Sequence, residues 1–90
     1  MSNMSFYVAE IQTVNERIRN LLAQVLQIPV GNVVDDLTMS NIEAWDSLKH
    51  MELIASLERT FGIEFNFDEI VAMRSVLEIK RVLRQRGVSD

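Results

Sequence analysis

Apolar residues recur at steps of three and four along most of this chain, and little interrupts them. Tyr7, Ile11, Val14, Ile18, Leu21, Leu22 and Val25 follow that spacing across residues 6–27, which predicts a long amphipathic helix. The 90 residues contain three glycines and one proline, too few turn formers for a many-stranded sheet. A second helix is expected from Ser47 to Phe61, where Leu53, Leu57 and Phe61 step by four and Leu48, Met51, Ile54 and Ala55 make an overlapping stripe. So wide an apolar surface suits a helix buried on one side and open to partners on the other. Gly62 ends it. Asn66 with Glu69 forms a capping box that opens a short helix running through Val71 or Met73. Ser75 with Glu78 opens the last one, Val76 to about Arg86, with Val76, Ile79, Val82 and Leu83 inward and Gly87 as its stop.

Pro29 and Gly31 break the chain after the first helix, and residues 28–46 hold no sustained helical period. A loop this long in a small domain is functional or pinned by its own apolar side chains. Val33, Leu37, Ile42 and Trp45 are the expected pins, with a helical turn near Gly31 to Asp35. The expectation is an all-α fold, a small four-helix bundle with a short third helix and a long first loop. It forms one domain over residues 1–90, with its core at about 7–86 and short flexible tails. Hydrophobic residues make up 48% of the chain, enough for a packed core at this size.

The same inventory narrows the chemistry. Without cysteine there is no disulfide framework, thiolate metal site or cysteine nucleophile, and a single histidine, His50, makes a histidine metal site a poor fit. No apolar run approaches membrane-spanning length. Residues 1–9 have neither the charge nor the apolar core of a targeting segment, so a cytoplasmic protein is expected. Residues 35–69 hold nine acids against Lys49 and Arg59, a net of −7, whereas residues 74–86 hold five bases against Glu78, a net of +4. An acidic middle repels phosphate backbones and attracts basic partners. The basic tail reads as the charged outer face of a terminal helix rather than a nucleic-acid site.

Ser47 is the residue with chemistry to offer. It follows Asp46 at the start of the second helix, where free backbone N–H groups and the positive end of the helix dipole suit a phosphate ester. The plainer reading is that Asp46 and Ser47 only cap a helix. Ser47, His50 and Asp46 also supply the letters of a serine hydrolase. The Gly-x-Ser-x-Gly elbow is absent, however, and all three crowd one helix start. His50 is expected to be a partly exposed residue near a docking surface. Asp35, Asp36 and Glu43 lack the twelve-residue pattern of a calcium loop and read as solvated charge. Phe61, Phe65 and Phe67 read first as core, with a role in shaping a cavity as the alternative.

Trp45-Asp46-Ser47-Leu48, then Met51-Glu52-Leu53-Ile54, then Leu57-Glu58-Arg59-Thr60-Phe61-Gly62-Ile63-Glu64-Phe65, resembles the acyl carrier proteins over about residues 7–86. The resemblance implies that a phosphopantetheinyl transferase attaches 4′-phosphopantetheine from coenzyme A to Ser47, and that the chain is a carrier and not an enzyme. It implies a magnesium-linked role for Asp46 during transfer. It also implies partner contacts at Leu48, Met51, Glu52, Ala55 and Glu58, facing basic docking patches on acyl-loading and acyl-processing enzymes. A monomer that binds neither nucleic acid nor membrane is expected. Arg59 and Thr60 stand where the fatty-acid carriers have more acids, and Trp45 where they have Gly or Ala. The Trp-Asp-Ser-Leu form looks more like specialised, free-standing carriers of secondary metabolism or surface polymers, and the Gly-Gly of peptidyl carriers is missing. The rival reading is a carrier-like helical interaction domain that is never modified.

Overall fold

The computed structural model describes residues 12–89, which form four helices and no strand: α1 (Val14–Leu26), α2 (Ser47–Phe61), α3 (Phe67–Ala72) and α4 (Val76–Gln85). The first helix starts later than its apolar spacing suggests. Thr13 is extended, its hydroxyl accepts from Glu16 N–H, and the Glu16 carboxylate takes Thr13 N–H in return. This reciprocal box satisfies two donors that a helix start would otherwise leave open. The Tyr7 and Ile11 part of the expected helix lies outside the described residues. At the other end Gln27 takes up a left-handed conformation (φ 57°), and Pro29 then keeps the chain from resuming the helix.

The other three helices keep close to their sequence signals. Asp46 caps α2 by accepting from Lys49 N–H, and Gly62 closes it at φ 68°, a conformation that side chains with a Cβ resist. Asn66 and Glu69 form the box that opens α3, and Ser75 accepts from Glu78 N–H at the start of α4.

Ile18 and Leu22 of α1, Leu53 and Leu57 of α2, and Ile79 and Leu83 of α4 are almost fully buried and make the centre of the core. Each such side chain contributes about 1.5–3 kcal/mol of burial. α3 contributes no fully buried residue of its own.

Two short 3₁₀ turns, Val30–Asn32 and Met39–Asn41, order the long loop. Val33, Leu37 and Trp45 are buried and Ile42 packs partly against the core, so the expected pins all point inward. Arg19 of α1 donates to the carbonyls of Val30 and Val33. Midway, Met39 N–H donates to Arg74 O and Val76 N–H to Leu37 O, which places Thr38 opposite Ser75 in a single antiparallel bridge. Lys80 reaches Asp35 at 2.7 Å beside it. The loop is thus tied to α1 at one end and to the start of α4 at its middle.

Candidate functional site

Trp45 ends the loop, and Asp46 and Ser47 begin α2. Asp46 Oδ1 accepts from Lys49 N–H at 2.9 Å, and Asp46 O takes the first intrahelical bond from His50 N–H at 2.8 Å. That leaves the N–H groups of Ser47 and Leu48 without an intrahelical partner, at the positive end of a helix of 15 residues. Ser47 is the first helical residue and is exposed. Its hydroxyl makes no hydrogen bond among the described residues, so nothing holds it back from a reaction partner.

Helical geometry sorts the side chains that follow. His50, Leu53, Ile54 and Leu57 share one arc and are buried. The opposite arc carries Leu48 (67% exposed), Met51 (54% exposed), Glu52 and Arg59, with Ala55 half-buried. The second apolar stripe seen in the sequence is therefore divided: Ile54 goes to the core and Leu48 and Met51 to the surface. Phe67 (76% exposed) and Val71 of α3 are exposed apolar residues as well.

The acids differ in how free they are. Glu52 is exposed and pairs with Lys49 on the turn before, at 3.4 Å. Glu58 is only partly exposed, and its Oε2 accepts from Phe65 N–H at 2.9 Å. Its carboxylate thus braces the connector between α2 and α3, a role the sequence pattern did not reveal. Arg59 lies exposed and donates to Ser56 Oγ.

Two expectations are overturned. His50 is buried at 7% exposure because it lies three residues before Leu53 and four before Ile54, in the middle of the inward arc. Trp45 Nε1–H donates to its Nδ1 at 3.1 Å, and its Nε2 lies 2.9 Å from Ile70 O. With Nδ1 accepting, the ring proton is on Nε2 and donates to that carbonyl. Both ring nitrogens are engaged away from Ser47, so His50 cannot serve it as a base, and the hydrolase constellation does not assemble. The phenylalanines also part company. Phe65 is buried, Phe61 is half-buried beneath the Arg17 guanidinium at 5.0 Å, and Phe67 is exposed because it is the first residue of a six-residue helix whose inward side is Ile70.

The residues present suit a covalently attached phosphopantetheine. The Ser47 hydroxyl is open, unpartnered N–H groups lie beside it, and the apolar neighbours on its flank are exposed rather than folded over it. Asp46, beside Ser47, is exposed and has one carboxylate oxygen engaged by Lys49 N–H. Among the described residues, no group of three or more His, Asp or Glu side chains is arranged to hold a metal.

Comparison with known proteins agrees with this geometry. The family model described as the phosphopantetheine attachment site matches residues 16–83. Acyl carrier protein 3 of Ralstonia nicotianae is 30% identical over 79 residues, 83% of this chain and 91% of that protein. An acyl carrier protein of Syntrophus aciditrophicus is 25% identical over 77 residues, 86% of this chain and 96% of that one. The solved structure of a candidate acyl carrier protein from Mycobacterium tuberculosis shares the fold, with a TM-score of 0.72 at 21% identity, covering 80% of this chain and 96% of that one. The chain belongs to the acyl carrier proteins, phosphopantetheine-bearing helical carriers that are not themselves enzymes.

Proposed function

We propose that Ser47 is the attachment site, and that the chain is a discrete, monomeric, cytoplasmic carrier of the Trp-Asp-Ser-Leu type serving fatty acid, polyketide or related biosynthesis. The observation that carries the reading is the unengaged, exposed hydroxyl of Ser47 at the first position of α2. In the loading step Ser47 Oγ forms a bond to the phosphorus that bears the pantetheine arm of coenzyme A. The pyrophosphate P–O bond breaks, adenosine 3′,5′-bisphosphate leaves, and the serine proton passes to a base of the transferase. Asp46 holds the helix start with one carboxylate oxygen, and its carboxylate would help hold the magnesium ion that supplies charge neutralisation in that reaction. When bound, the arm supplies a terminal thiol that carries acyl groups as thioesters, which suits a chain without cysteine.

Leu48, Met51 and Ala55 present the apolar part of the docking face, and Glu52 and Glu58 present its charge. Exposed ion pairs of this kind are each worth at most about 1 kcal/mol, but several together steer fast, reversible association with a basic partner. Arg59 breaks the acidic run on the same arc, which favours specialised acyl-loading and acyl-processing partners over enzymes built for an all-acidic helix.

The test is intact mass before and after incubation with coenzyme A, magnesium and a broad-specificity phosphopantetheinyl transferase. One added phosphopantetheine on the native chain, and none on Ser47→Ala, is the expected result. A folded native chain that gains no mass with several transferases would identify an unmodified interaction domain instead.

A further inference from the structure

The start of α2 lacks the reciprocal box that opens α1 and α3. At α1 and α3 the third helical residue is Glu16 or Glu69, and its carboxylate returns the cap's bond. At α2 the third residue is Lys49, which has no acceptor to offer. The angle at which the chain turns into this helix therefore needs another constraint. The residue before a cap and the fourth helical residue are the pair that commonly provides one, through apolar contact. Here they are Trp45 and His50, and they are joined by a hydrogen bond. Trp45 is 1% exposed, its Nε1–H meets His50 Nδ1 at 3.1 Å, and the two rings lie 6.1 Å apart between centroids. His50 Nε2 then reaches Ile70 O, 2.9 Å away in the last half of α3, where a helix carbonyl has lost its intrahelical donor. Ser47 is the second residue after Trp45 and the third before His50, inside the span that this clamp closes.

Resting on the assignment of Ser47 as the attachment site, we infer that Trp45 and His50 are positioning residues for its loading, acting through a buried indole–imidazole hydrogen bond that sets the path of the chain across Asp46 and Ser47. Neither side chain touches coenzyme A. Their effect is on how often the Ser47 hydroxyl stands where the transferase requires it, so loss of the bond lowers kcat for loading and leaves KM, which reports the exposed docking face, almost unchanged.

The full-length apo chain, loaded by a phosphopantetheinyl transferase and followed by mass or by release of adenosine 3′,5′-bisphosphate, supplies the test. Trp45→Phe keeps a buried aromatic ring and removes the donor together with the five-membered ring that bears it, so the His50 variants carry the decisive comparison. His50→Asn places an amide oxygen where Nδ1 stands, and His50→Leu places no acceptor there. Both His50 variants lose the Ile70 contact equally, so their difference isolates the indole bond. One net hydrogen bond corresponds to roughly a five-fold effect, so Trp45→Phe and His50→Leu are expected to load about five-fold more slowly at saturating carrier. His50→Asn should retain most of the rate, and Trp45→Phe should add nothing on the His50→Leu background. The indole N–H proton resonance reports the bond directly, moving upfield in His50→Leu and staying near its native position in His50→Asn. Rates are taken at a temperature where circular dichroism shows every variant folded. Equal kcat for the native chain, Trp45→Phe and His50→Leu overturns the inference while the Ser47 assignment stands. A loss confined to KM, or equal losses in His50→Asn and His50→Leu, overturns it as well. A native chain that is never loaded overturns the Ser47 assignment, and the inference with it.

Discussion

Glu58 carries a bond inside the fold as well as charge on the docking face proposed for α2. Its carbonyl accepts from the N–H groups of Gly62 and Ile63, at 2.8 and 3.3 Å, and its carboxylate accepts from Phe65 N–H at 2.9 Å. One residue therefore holds the turn that leads from α2 to α3, its backbone carbonyl closing the helix and its carboxylate alone fixing Phe65. A hydrogen bond to a charged group contributes about 1.5–3 kcal/mol when sheltered. Glu58 is partly exposed and alanine is a slightly better helix former, so Glu58→Ala is expected to cost about 1–2 kcal/mol. For a domain of this size that lowers Tm by roughly 6–12 °C. Glu58→Gln keeps an acceptor without the charge and should lose about half as much. Glu52→Ala is the control: its ion pair with Lys49 is exposed, and its removal should change stability by less than about 0.5 kcal/mol. Thermal unfolding by circular dichroism compares all three with the native chain. If Glu58→Ala melts within about 2 °C of native, the strut has no energetic role and Glu58 returns to the surface as a docking acid only.

Two further outcomes follow from the same geometry. Gly62 sits at φ 68° with nothing within 4 Å of where a Cβ would stand, so Gly62→Ala should cost only the left-handed backbone strain, about 1 kcal/mol by denaturant melting. A much larger loss would reveal a steric contact that the geometry denies. Leu48→Ala removes a side chain that is 67% exposed, so stability should stay within about 0.5 kcal/mol of native while KM for transferase loading rises several-fold. An unchanged KM would take Leu48 off the docking face.

The boundaries of α2, α3 and α4 were legible because each is marked by residues acting locally. Asp46, Asn66 and Ser75 open them, and Gly62 and Gly87 close two of them. The start of α1 carried an equally local mark, Thr13 with Glu16, but the apolar period running past it hid the signal. The burial of His50 was visible in its register with Leu53, Ile54 and Leu57, and its polarity argued the other way. What reconciles the two is a pair of partners, Trp45 and Ile70, of which the second lies 20 residues distant. Sequence spacing does not encode such a contact, since only the packing of α3 against α2 creates it. The Glu58 brace was hidden for a similar reason: its partner is a backbone N–H, which has no letter in the sequence.

The bridge between Thr38 and Ser75 divides the molecule in a way that bears on where insertions can be borne. Because Leu37 O and Met39 N–H are bonded to Val76 and Arg74, the position of Ser47 is measured from that bridge and not from the end of α1. Extra or missing residues between Pro29 and Asp36 have to be taken up between α1 and the bridge, around Val33, which is buried, and the Val30 and Val33 carbonyls that Arg19 holds. In the span from Ser40 to Asp46 the effect falls on the site: one residue added there rotates Trp45 off the core or turns Ser47 away from its face. The two halves of the loop are thus unequal in what a change of length disturbs: the seat of Val33 against α1 before the bridge, and the placement of Trp45 and Ser47 after it.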